Sequence, residues 1–136
     1  PLKSGKTLEQ IAPKLIDSLV GPNCKKEARD RIYKSFLNIH IDSYLKTIAE
    51  TISYNASNNL SEFDVPTQLI YGEYDQLTPV SIGKMAQKKI SNSSLSIIKN
   101  AGHLSNIEQP DAFNTIIDNF LSKHKNLAMF NKDKST

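Results

Sequence analysis

Cysteine occurs once in these 136 residues and glycine five times. Arg29 and Arg31 are the only arginines. A single cysteine, Cys24, excludes an internal disulfide and favours a reducing, cytoplasmic compartment. It lies in the turn-like run GPNC, where nothing nearby in sequence supplies the base that a thiolate nucleophile needs. No apolar run approaches the roughly 20 residues that span a bilayer, and no signal peptide is visible, so membrane insertion is not expected. Without a secretory signal, Asn55-Ala-Ser57 and Asn92-Ser-Ser94 do not read as glycosylation sites. The net charge of +3 comes from scattered lysines. No aromatic residues interleave with them, so a nucleic-acid groove is not expected. The chain opens on Pro1 rather than Met, which fits a fragment, a processed chain or a trimmed one.

What is present suits one soluble domain with a modest core: hydrophobic residues make up 38% and charged residues 23%. Residues 1–6 read as a frayed lead-in. Thr7 and Gln10 have the spacing of a capping box, and Leu8, Ile11, Leu15 and Leu19 recur at helical spacing. Pro13 should kink this helix or delay its start, and Gly21-Pro22 should end it. A second helix is predicted over about residues 25–38, with Ile32, Phe36 and Ile39 inward. A third is predicted over about 41–54, with Ile41, Tyr44 or Leu45, Ile48 and Ile52 as its stripe. His40 falls between them and reads as a junction or surface residue.

The composition changes at Val65. Gln68-Leu69-Ile70-Tyr71 is a short apolar run that ends at Gly72, as a buried parallel strand would. Thr78 should cap the next helix, with Pro79 at its first position and Ile82, Met85, Ala86 and Ile90 inward. A second strand should run from Leu95 to Ile98, after a turn at residues 92–94. Such a strand–helix–strand unit has a crossover of the length that parallel pairing needs. A last helix should open at Gln109-Pro110-Asp111, with Phe113, Ile116, Ile117, Phe120 and Leu121 on its apolar side. The tail beyond Lys123 loses pattern.

Asp75 and His103 each follow the carboxyl end of a predicted strand, the edge of an open α/β sheet where ligands and catalytic groups collect. If the two strands lie side by side, residues 28 positions apart can meet. A carboxylate that orients a histidine, which in turn draws the proton from a hydroxyl, is the relay that activates a serine. The serine itself is missing: no two glycines flank a serine in the pattern G-x-S-x-G.

The runs VPTQLIYGEYDQLTP and NAGHLSNIEQPDAFNTIIDNFL resemble the two closing motifs of the α/β-hydrolase superfamily. The family forms are G-E-x-D-x-x-T-P and A-G-H-x-x-x-x-E-x-P. The resemblance covers about residues 63–121 and is nearest to the enol-lactone hydrolase and small carboxylesterase-like branch. It implies Asp75 as the triad acid, His103 as the triad base, and Glu108 and Pro110 at structural positions. It also implies a partial α/β-hydrolase fold: two parallel strands with flanking helices, preceded by a helical cap or lid over residues 1–60. Residues 61–123 would be the C-terminal part of the core and 124–136 a flexible tail. Tyr33, Phe36 and Tyr44 would be wall residues of a pocket for a small ester or lactone, and no metal or organic cofactor is implied. The serine would lie in an N-terminal half of the same fold. This chain would bind that half or pair with itself in a homo-oligomer, and alone would be inactive. A non-catalytic binding or scaffold protein, a dehalogenase and a carbon–carbon hydrolase are the alternatives.

Overall fold

The computed structural model describes residues 7–53 and 59–125. The expected lead-in, Asn55-Ala-Ser57 and the tail beyond residue 125 lie outside them. Helix α1 (Leu8–Leu19) begins where Thr7 and Gln10 predict, with the Thr7 amide donating to Gln10 Oε1 at 3.1 Å. Pro13 does not stop it. The carbonyl that the missing proline amide leaves unpaired belongs to Glu9, an exposed residue that water can reach. The buried centre of α1 is Ala12 and Ile16, while Leu8, Ile11, Leu15 and Leu19 form its half-buried flanks. Ala12 is small enough for α2 (Lys26–Leu37) to approach closely, with Ala28 and Ile32 facing inward from that helix. Val20 completes this cluster, and Tyr33, Phe36, Leu104 and Ile107 pack against it. Helix α3 (Ile41–Ser53) forms as expected, but its stripe is not buried: Tyr44 is half-buried, and Leu45 and Ile48 are exposed.

A 3-10 turn at Leu60–Glu62 leads into β1 (Thr67–Gly72), followed by α4 (Val80–Lys89), β2 (Ser93–Ile98), α5 (Ser105–Glu108) and α6 (Pro110–Lys123). The strands pair in parallel, with Leu69 opposite Leu95 and Gly72 opposite Ile98. Both chains therefore leave the sheet at the same edge. Strand β2 starts earlier than its apolar run because the Thr67 amide donates to the Asn92 carbonyl at 2.8 Å, carrying the ladder into polar residues.

Side chains alternate between the two faces of a strand. Helix α4 covers the face that carries Tyr71, and Gly83 lies directly on that ring, where a Cβ would come within 2.6 Å of it. This contact sets the rotation of the helix. Gly83 and Ile90 turn inward, while Ile82 and Met85, expected to be buried, are 46% and 58% exposed. Helix α6, with Pro110 in its first turn, covers the other face. There Ile116 and Phe120 join Gln68, Ser94 and Ser96 in lining a cavity of about 260 Å³. None of the residues of α6 is fully buried. No helix among the described residues is long and apolar enough to cross a membrane.

At the exit edge of the sheet three backbone segments cross with no room for side chains. A Cβ on Gly72 would sit 2.0 Å from the Gly102 carbonyl oxygen, and one on Gly102 would sit 2.6 Å from both Gly21 N and Leu19 O. Gly72→Ala is expected to lower the unfolding free energy by about 3 kcal/mol, since rigid backbone is in the way. Gly83→Ala, which meets a ring able to shift, is expected to cost about 1 kcal/mol. Urea denaturation of the two variants checks the ranking.

Candidate active site

The pairing of the two strands continues into the loops that follow them. The Glu73 amide donates to the Ile98 carbonyl at 2.9 Å, and the Tyr74 amide to the Ala101 carbonyl at 2.8 Å. The two loops are thereby held side by side, and Asp75 meets His103: Nδ1 lies 2.9 Å from Asp75 Oδ2.

Asp75 is positioned by its own turn. Its Oδ1 accepts the amides of Leu77 and Thr78, each at 2.9 Å, as an aspartate does in an Asx turn. Its Oδ2 accepts the Thr78 hydroxyl at 2.8 Å as well as the imidazole. Its side chain is only 4% exposed. Burial pushes the carboxyl's pKa up. The Thr78 amide, the His103 ring, the Thr78 hydroxyl and the charge on His103 together outweigh burial, and the carboxyl lies below its ordinary value.

Thr78 is the site residue that sequence reasoning missed. Its spacing casts it as the cap of α4, yet Pro79 occupies the cap position, the helix starts at Val80, and no side chain caps it. The hydroxyl is instead held by Asp75. A signal was present: when an aspartate bonds the amides two and three residues on, the side chain of the third residue is brought back over the carboxylate.

His103 is held from three directions. Asn100 turns the chain out of β2 with φ of 56°, a left-handed conformation that asparagine tolerates. Its amide donates to Glu73 Oε2 at 3.0 Å. The His103 amide donates to the Leu19 carbonyl at 2.7 Å. Glu108, expected only to hold a structural position, accepts the Gly102 amide on Oε1 at 2.8 Å and the Gly21 amide on Oε2 at 2.7 Å. That carboxylate ties the end of α1 to the histidine loop and is 3% exposed. The His103 side chain remains 33% exposed, and its Nε2 has no hydrogen-bond partner among the described residues.

Tyr33 and Phe36 lie half-buried against the α1–α2 cluster, and Tyr44 lies half-buried on α3. None of the three hydrogen-bonds the Asp75–His103 pair, whose side-chain partners are each other and Thr78. Burial and the nearby Glu108 push the Cys24 thiol up, with Arg29 opposing, so the thiol stays protonated at neutral pH. Among the described residues no group of three or more His, Cys, Asp and Glu is placed to hold a metal ion.

A family model described as TAP-like protein, one of the α/β-hydrolase models, matches residues 46–128. The chain is 34% identical over 83 residues to the monoacylglycerol lipase ABHD6 of Mus musculus, covering 61% of this chain and 25% of that protein. It is 29% identical over 84 residues to the 2-hydroxy-6-oxononadienedioate/2-hydroxy-6-oxononatrienedioate hydrolase 2 of Pseudomonas putida, covering 60% of this chain and 29% of that protein. The fold superposes on a thermophilic esterase from Thermogutta terrifontis with a TM-score of 0.76 and 23% identity, over 83% of this chain and 43% of that one. The chain thus spans less than a third of these curated relatives and less than half of that structure.

Two outcomes are expected from the site's electrostatics. Glu108→Ala strands two buried amides and should cost on the order of 3 kcal/mol in chemical denaturation, with Glu108→Gln, which keeps one acceptor, in between. The stabilisation from Asp75 is complete above the ordinary unfolded value of about 3.9 and is lost as pH falls through the lower folded value. Denaturation midpoints followed from pH 6 down to pH 2.5 should therefore fall more steeply for the wild type than for Asp75→Asn. Parallel curves for the two proteins would contradict this role for the carboxylate.

Proposed function

The chain belongs to the TAP-like family of the α/β-hydrolase superfamily, and from that we propose that it forms part of a hydrolase of carboxylic esters or lactones. Asp75 and His103 are two members of its triad, and the serine comes from outside residues 1–136. The observation that carries this reading is the 2.9 Å bond from His103 Nδ1 to a carboxylate that is 4% exposed, on an imidazole whose other nitrogen is unengaged.

In this mechanism Nε2 removes the serine proton as the serine oxygen attacks the carbonyl carbon. The imidazolium then returns the proton to the departing alkoxide. Water repeats the sequence in reverse to release the acid and restore the serine. Asp75 keeps the proton on Nδ1 and balances the charge on the ring. The helices before β1 shape the acyl pocket, with Tyr33, Phe36 and Tyr44 as its candidate walls. A preceding segment of the same fold is the favoured partner. In its support, each of the two strands has an unpaired edge among the described residues, and Ile97 and Met85 are exposed on that framework.

The test is hydrolysis of p-nitrophenyl butyrate, monoacylglycerols and small lactones by the 136-residue chain and by the longer polypeptide that carries it. The short chain is expected to be inactive. The longer one is expected to turn over and to label with a fluorophosphonate, and Asp75→Asn should reduce kcat by about 10⁴-fold. His103→Gln should act in the same direction. Turnover that survives both substitutions overturns the proposal. A longer polypeptide that binds these ligands without converting them supports a binding protein instead.

A further inference from the structure

The Thr78 side chain touches both members of the pair. Its Oγ1 lies 2.8 Å from Asp75 Oδ2 and 3.3 Å from His103 Nδ1. Its own amide is bonded to the other carboxylate oxygen at 2.9 Å. Backbone and side chain of one residue thus grip both oxygens of Asp75, and the β-branched side chain has little freedom to swing away.

We propose that Thr78 is a positioning residue that backs Asp75 in holding the imidazole with its proton on Nδ1, leaving Nε2 bare. A hydroxyl has one proton to give. Given to Asp75 Oδ2, it leaves only lone pairs facing Nδ1, which is comfortable only if Nδ1 carries a hydrogen. The reverse arrangement, with the proton on Nε2, would set the Nδ1 lone pair against a carboxylate oxygen. Turning the hydroxyl toward Nδ1 would relieve that contact only by setting the threonine oxygen against the same carboxylate. Asp75 cannot rotate out of the conflict, because two amides hold its Oδ1. Four donors, two amides, one hydroxyl and one ring N–H, fill the four acceptor sites of the carboxylate. The link to catalysis rests on the triad reading, whereas the choice of tautomer does not.

The test is nitrogen NMR of His103 in the full 136-residue chain, with activity and its pH profile measured on the longer polypeptide. In the wild type Nδ1 is expected in the protonated range and Nε2 in the unprotonated range. Thr78→Val keeps the shape and loses the hydroxyl. It should enlarge the minor share of the Nε2-protonated form, read from the ring-nitrogen shifts, and lower kcat about tenfold with KM unchanged. Thr78→Ser should restore the wild-type spectrum and pH profile. A wild-type Nδ1 without a proton overturns the proposal even if Thr78→Val does not fold. So does a Thr78→Val spectrum identical to wild type, and so does a Thr78→Ser that behaves like Thr78→Val, which would make the methyl group the operative part. If the tautomers respond as expected but no polypeptide turns over, the assignment of Thr78 stands and the hydrolase reading falls.

Discussion

One carboxylate receives amides from two residues far apart in the chain: Glu108, 87 positions from Gly21, bonds Gly21 at the end of α1 and Gly102 beside the histidine. Much of the molecule follows from that clamp. Gly21, Gly102 and Gly72 can then stack backbone on backbone, because none has a side chain to keep them apart. The Leu19 carbonyl reaches the His103 amide, and Leu104 and Ile107 fold down onto the α1–α2 cluster. The first two helices are therefore joined to the histidine loop through backbone contacts. A displacement of α1 would be felt at His103 within one hydrogen bond.

Asp75 works on the opposite principle. Glu108 accepts backbone amides and holds architecture, whereas Asp75 divides its acceptor sites between its own turn and the histidine. A buried carboxylate costs several kcal/mol when left unpaired, and here every acceptor site is met by a donor. Its lowered pKa is the balance of those donors against burial. Because two of its donors are amides of its own turn, its orientation does not rest on the histidine alone. The geometry of the pair is then fixed by strand register, which puts Gly72 level with Ile98 and starts the two loops together.

The least consolidated surfaces lie away from this corner. Leu45 and Ile48 on α3, Ile82 and Met85 on α4, and Ile97 on β2 are exposed apolar side chains, and α6 has no fully buried residue. The buried apolar residues are instead mostly small or β-branched and concentrate around α1, α2 and the histidine loop. That distribution suits a chain that spans less than a third of its curated relatives.

Element identity and order were legible in the sequence because they depend on short-range patterns. The Thr7–Gln10 spacing placed the start of α1, the apolar runs placed β1 and β2, and Pro110 placed the start of α6. The strand–helix–strand order was enough to bring Asp75 and His103 to one edge. Rotations and partners were not legible. The burial of Ala12 and Ile16 depends on how closely α2 approaches, and the turning of Ile82 and Met85 outward depends on Gly83 meeting the Tyr71 ring. Thr78 looked like a helix cap because that is what threonine before proline does locally; a carboxylate three residues earlier took its hydroxyl first. Periodicity and chain connectivity, both local properties, were enough for the longer elements, the parallel pairing of β1 with β2 and the two residues at its edge, whereas the one-turn helix α5 was not expected. Which amides Glu108 receives and which way each helix faces were left to the tertiary packing, because those choices depend on distances between segments that no spacing along the chain encodes.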